Sequence, residues 1–106
     1  MYEFWFSPDF NDKIIAFQAK HDDYAIKKVK TALEKLKLNP KKESKSLQGN
    51  YKGKRSHRSG KLRLILAVCE ECRARGYDSI NACVDCSDIP DNGVMFFDAL
   101  YRSEAY

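Results

Sequence analysis

Four cysteines in two pairs, Cys69-Glu70-Glu71-Cys72 and Cys83-Val84-Asp85-Cys86, impose the tightest geometric condition on this chain. With ten residues between the pairs, the spacing suits two knuckles closing on one tetrahedral zinc ion. Four thiolates occupy every coordination position and leave none for water, so such a metal is structural rather than catalytic. Two disulfides or an iron centre are the alternative uses of the same residues. Redox compartment decides between thiolate and disulfide. Met1 to Phe10 holds two acids and no apolar core of a signal peptide. No apolar run approaches the roughly 20 residues that span a bilayer. The expectation is a soluble, cytoplasmic protein without a membrane partner, whose cysteines stay reduced.

The 106 residues suffice for one core, so residues 1–106 are expected to form a single domain, with Cys69 to Ile89 as a metal-held extension poor in apolar side chains. Tyr2, Phe4 and Phe6 alternate with Glu3, Trp5 and Ser7 in a strand that Ser7-Pro8 stops. From Asp9, apolar residues at helical spacing (Phe10, Ile14, Phe17) predict one helix, and Ala25, Ile26, Val29, Ala32, Leu33 and Leu36 a second. The polar break Lys20-His21-Asp22-Asp23 separates them, and Asn39-Pro40 ends the second. An antiparallel helical hairpin follows, with Lys27, Lys28, Lys30, Lys35 and Lys37 on its exposed side as a solvated face or a phosphate contact.

Lys41 to Asn50 reads as a polar loop, and Tyr51 to Arg58 and Lys61 to Val68 as strands joined by a Ser59-Gly60 turn. Pro90-Asp91-Asn92-Gly93 then turns the chain into a last strand, Val94 to Tyr101. The fold class is α+β, in the order β-α-α-β-β-β: an antiparallel sheet with the helical hairpin on one face and the cysteine extension between the last two strands. Pairing back from Ser59-Gly60 sets Arg58 opposite Lys61, Ser56 opposite Arg63, Lys54 opposite Ile65 and Lys52 opposite Ala67. Lys52, Lys54, Arg58, Lys61 and Arg63 then share an open face, while Leu62, Leu64, Leu66 and Val68 meet the helices. His57 falls with Arg55 on the helix face, beside Leu62, away from the cations. Nineteen Lys and Arg against 15 Asp and Glu, a net +4, suit a polyanionic partner.

The basic strand, the segment Gly60-Lys61-Leu62-Arg63-Leu64-Ile65 and the ending Tyr101-Arg102-Ser103-Glu104-Ala105-Tyr106 resemble the RelE/ParE toxin superfamily, particularly its RelE branch. Leu36 to Pro40 and Ser46-Leu47-Gln48-Gly49 extend the likeness over nearly the whole chain. The resemblance implies a toxin of a type II toxin-antitoxin system, which cleaves mRNA in the ribosomal A site and is neutralised by a small antitoxin protein wrapped around it. Lys52 and Lys54 match the family's basic strand pair, Arg63 the arginine of the next strand, and Tyr106 the tyrosine near the C-terminus. Attack by a 2′-hydroxyl on phosphorus needs a base, a stabiliser for the phosphorane and an acid for the leaving 5′-oxygen. A metal-independent cationic site supplies these: Lys52 or Lys54 as base or acid, Arg63 and Arg102 as phosphate donors, and Tyr106 stacking on the nucleotide. Arg58 and Lys61 add RNA contacts.

Leu100 stands where some members of the family carry an arginine, and the cysteine extension replaces a tight turn. Two other readings follow. One is binding without catalysis, as a ParE-like topoisomerase poison or a degraded toxin acting with its antitoxin as a transcriptional co-repressor. The other is a zinc-ribbon adaptor whose knob recognises nucleic acid, with Arg73 and Arg75 at the contact or merely solvated.

Overall fold

The computed structural model describes residues 2–81, 83 and 86–102, with the side chains of 78 and 79 excepted. It is an α+β domain built on a five-stranded sheet in the order β1-β5-β4-β3-β2. These strands are Glu3–Phe6 (β1), Lys45–Ser46 (β2), Arg55–Ser59 (β3), Leu62–Val68 (β4) and Gly93–Tyr101 (β5). The helices are Pro8–Ala19 (α1), Asp23–Leu38 (α2), and two short ones in the cysteine segment, Cys69–Ala74 (α3) and Asp78–Asn81 (α4).

Each long helix begins on a side-chain cap. Ser7 Oγ accepts from Phe10 N at 3.1 Å, with Pro8 pre-set for the first turn, and Asp22 Oδ1 accepts from Ala25 N at 3.0 Å. Phe10, Phe17, Ala25, Val29, Ala32 and Leu36 pack against Leu62, Leu64, Leu66, Val94, Phe96 and Ala99 in one core. The three β4 leucines show no exposed surface, and each stabilises the fold by about 1.5–3 kcal/mol through burial.

The structure corrects the strand expectations in three places. First, the sheet is mixed rather than antiparallel: β1 runs parallel to β5, with Phe4 opposite Val94 and Phe6 opposite Phe96. The helical hairpin carries the chain back before β2, and β2 to β5 alternate in direction, so β5 meets the edge strand β1 running the same way. Second, the expected loop contains β2, whose Lys45 pairs with Ser56, and β3 starts at Arg55 instead of Tyr51. Gly49 and Gly53 adopt positive φ of 64° and 91° around a 3-10 turn, which extended backbone excludes. Third, the hairpin turns on Gly60-Lys61: Ser59 faces Leu62, Arg58 faces Arg63 and Ser56 faces Ile65. Gly60 has φ +59° whereas Lys61 is not in the left-handed region, the pattern of a turn that takes glycine at its first central position.

The second sheet face is not an open cationic surface throughout. Cys69, Ile89 and Met95 form a small cluster there with Trp5, Cys83 and Phe97, so the cysteine segment roofs one end of the sheet. Among the described residues no helix is long and apolar enough to cross a membrane.

Candidate functional site

The cations gather at the β3 edge of the sheet. β2 covers only the first residues of β3, and beyond it an open cleft of about 530 Å³ lies between the last turns of α2, the 42–47 segment and strands β3 and β4. Lys35, Lys42, Lys45, Arg58 and Arg63 line it, and Glu43 is the one carboxylate among the lining residues. Arg58 and Arg63 are directly opposed across the ladder. Like charges set opposite one another on a sheet repel, and an anion between them removes the penalty.

The Asn39-Pro40 corner positions the lysines. Asn39 Oδ1 accepts from Lys42 N at 3.2 Å, Glu43 N donates to Asn39 O at 3.1 Å, and the Ser44 hydroxyl donates to Pro40 O. Arg55 clamps this corner onto β3. Its Nε donates to Ser44 Oγ at 2.8 Å, and its Nη2 donates to Lys41 O at 3.0 Å and Ser44 O at 2.9 Å. Its Nη1 reaches Ser46 Oγ at 3.1 Å and both oxygens of Glu71 on α3, at 3.1 and 3.2 Å.

Of the residues nominated from the sequence, Arg58 and Arg63 meet in this cleft. Lys61 is exposed in the turn, and its carbonyl accepts from Arg102 N at 2.8 Å. Arg102 follows the end of β5 in a turn, exposed, and does not line the cleft. Lys52 and Lys54 precede β3 and do not pair with Ala67 and Ile65. Lys52 is exposed in a turn, whereas Lys54 Nζ donates to Asn81 Oδ1 at 2.9 Å and sits 4.9 Å from the Phe97 ring centroid. Tyr106 lies outside the described residues.

His57 lies with Arg55 on the helix face, as its strand position requires, although its partner is Leu64 and not Leu62. It is 6% exposed, and its Nδ1 contacts the Glu43 carbonyl. A carbonyl can only accept, so Nδ1 carries the proton there. Sequence reasoning missed Lys42, Lys45 and the role of Arg55, and left Lys35 on a helix face that was either solvated or a phosphate contact. Their convergence depends on contacts between α2, β2 and β3 that no local pattern encodes.

At the other end of the sheet all four cysteines line one cavity of about 10 Å³, with Ala67, Arg73, Ile89 and Met95. None forms a disulfide. Among the described residues no group of three or more His, Cys, Asp or Glu side chains is arranged to hold a metal ion as the chain stands. The donor set nevertheless fits zinc, and the cavity has room for one water-sized occupant. Burial pushes the Cys69 thiol up to about 11; Arg73 pulls against that, and the three other cysteines add to it. Arg73 is not simply solvated. It donates to Asp91 Oδ1 at 2.8 Å and to the carbonyls of Cys86 and Ile89, binding α3 to the returning loop. Arg75 is mostly exposed, with a loose 3.9 Å contact to Glu71.

Fold and site together define a small mixed α+β domain with a cationic cleft on its sheet edge and a cysteine-rich roof. Comparison with protein-family models, curated proteins and solved structures yields no match.

Proposed function

We propose that this chain is a RelE-type endoribonuclease, the toxin of a type II toxin-antitoxin pair, which cleaves mRNA on the ribosome and so stops translation. The carrying observation is the opposed pair Arg58–Arg63 in a cleft with three lysines, an arrangement suited to a phosphodiester backbone. In this reading the scissile phosphate sits between the two guanidinium groups, and a part for Arg102, beyond the end of β5, comes from the family resemblance. The 2′-oxygen bonds to phosphorus as its proton passes to a base, and the bond to the 5′-oxygen breaks as that oxygen takes a proton from an acid. Lys52 and Lys54 sit at the entry to β3 and do not line the cleft, so the role of either as base or acid rests on the family resemblance. Tyr106 would stack on the nucleotide, a role that rests on the family resemblance. Lys35, Lys42 and Lys45 hold the flanking strand through charge alone, which makes binding steeply salt-dependent. A small antitoxin protein covering the cleft would block the reaction.

The second reading is binding without cleavage, as a ParE-like topoisomerase poison or a co-repressor with an antitoxin. Leu100 favours it, because it places an apolar side chain opposite Arg63 where some family members have an arginine. Mapping 5′ ends of a defined mRNA on programmed ribosomes separates the two. Cuts at the A-site codon support the ribonuclease; intact mRNA with a protein that still binds RNA supports the second.

A further inference from the structure

The strongest chemistry outside the cleft is at the cysteine pairs, and one side chain connects it to the sheet. Asn81, at the end of α4, is half-buried and fully engaged: its Nδ2 donates to Cys72 Sγ at 3.3 Å and to Gly53 O at 3.0 Å, while its Oδ1 accepts from Lys54 Nζ at 2.9 Å. The amide has one sensible orientation. Reversed, it would turn its oxygen on a carbonyl and a sulfur and its NH₂ on an ammonium.

We infer that Cys69, Cys72, Cys83 and Cys86 bind one zinc ion as a closed tetrathiolate, and that Asn81 is a positioning residue joining that site to Lys54 and the Gly53 turn. Several independent features support this. All four cysteines line one cavity of about 10 Å³, the size of a single small occupant. Among the described residues the segment's apolar contact with the sheet is small, Cys69 and Ile89 against Met95 with Trp5, Cys83 and Phe97 at the edge, and the rest of its attachment is polar. An extension so thinly cored folds on a metal. Four thiolates around Zn²⁺ leave a net negative cluster, and Arg73, which also lines the cavity and is pinned by the Cys86 and Ile89 carbonyls, supplies the compensating cation. An N–H donor on a ligand sulfur is the outer-shell contact that such sites use to orient a thiolate. Zinc binding draws the two cysteine pairs together from their present arrangement. Each thiol loses its proton to solvent and gains a bond to the metal, with no change of oxidation state.

Coupling through a shared hydrogen bond is reciprocal: if the metal site fixes Asn81 and Asn81 fixes Lys54, removing the Lys54 ammonium weakens the metal. The inference stands apart from RNA cleavage, because its readout is metal affinity. Full-length protein purified under reducing conditions is assayed for zinc, stripped, and titrated with Co²⁺ alone. The expected result is one equivalent of zinc per chain and the visible spectrum of a tetrahedral Co²⁺ with four sulfur ligands. Asn81→Ala is expected to weaken Co²⁺ binding about 10–100-fold, Lys54→Met by several-fold, and Arg63→Ala not at all. Failure of the reduced wild type to take up either metal, or a spectrum with fewer than four sulfurs, overturns the site, and this test needs no variant to fold. Iron in place of zinc in the purified protein overturns the choice of metal. Wild-type affinity in both Asn81→Ala and Lys54→Met overturns the link to Lys54.

Discussion

Arg58 stands directly across the β3–β4 ladder from Arg63, two guanidinium groups on one face of the sheet with no residue between them in the register. A fold optimised for stability alone would put a neutral or acidic partner there. Arg58→Thr should therefore leave stability unchanged or raise it by about 0.2–1 kcal/mol, because it relieves like-charge opposition. The same change should weaken single-stranded RNA binding and make the log–log salt slope shallower by about 0.7, the signature of one lost phosphate contact. Thermal denaturation and filter binding across a salt series check the two halves independently.

Arg55 and Glu71 form the other decisive pair, with side chains only 12% and 17% exposed. It is too sheltered to count as a surface ion pair, and Arg55 also satisfies the acceptors of the 41–46 corner. Glu71→Gln is expected to cost about 1–3 kcal/mol, since the guanidinium keeps its other partners while losing its charge complement. Arg55→Met should cost more, about 2–4 kcal/mol, because it leaves the half-buried Glu71 carboxylate with only the loose Arg75 contact and releases the corner as well. Urea unfolding of the two variants beside wild type tests the ranking.

Tyr101 Oη donates to Asp22 Oδ2 at 2.5 Å, tying the end of β5 to the cap of α2. That hydrogen bond first, then the Ala25 amide, holds the Asp22 carboxyl below its ordinary value; burial opposes them, and the Lys20 charge adds a lesser pull downward. A lowered folded-state pKa contributes stability above the unfolded-state value of about 3.8, and the contribution is lost as pH falls through the folded-state value. Tyr101→Phe keeps the ring against Phe17 and removes the donor. It should be less stable than wild type at neutral pH, with the two curves converging as pH falls below the unfolded-state value. Parallel curves over that range would sever the link between Tyr101 and the carboxylate.

Gly60 sits at φ +59°, and a Cβ there would strike Tyr24 Oη and the Lys28 chain. Tyr24 Oη in turn accepts from Lys61 N at 3.0 Å. Gly60→Ala should lose about 1–3 kcal/mol through backbone strain and the displaced tyrosine. An undiminished melting temperature would contradict the turn assigned here.

Much of this architecture is legible in the sequence. Leu62, Leu64 and Leu66 alternate so cleanly that their face is fixed, and Val29, Ala32 and Leu36 do the same for α2. The hairpin was expected one residue early, on Ser59-Gly60, because the dipeptide does not reveal whether glycine takes the first or second central position. Moving the turn by one residue slides the pairing by two, and an even slip keeps every side chain on its face. Arg58 and Arg63 therefore share a face in either register, while Lys52 and Lys54 lose their place in the ladder to Gly53. The parallel pairing of β1 with β5 and the convergence of Lys35, Lys42 and Lys45 are long-range outcomes of topology. The first joins residues about 90 positions apart, and the second sets the lysines beside strands β3 and β4 rather than beside one another. The Asn81 contacts join residues 27 and 28 positions apart along the chain and leave no local signal.

Whether the Arg58–Arg63 cleft cuts RNA is read from 5′-end mapping of a defined mRNA on programmed ribosomes, with wild type and Arg63→Ala at matched stability. Cuts at the A-site codon are expected with the wild type, reduced at least 100-fold by the substitution, equivalent to about 2.7 kcal/mol of lost transition-state stabilisation. Unchanged cutting by Arg63→Ala, or no cutting by a folded wild type, would contradict a ribonuclease site in this cleft.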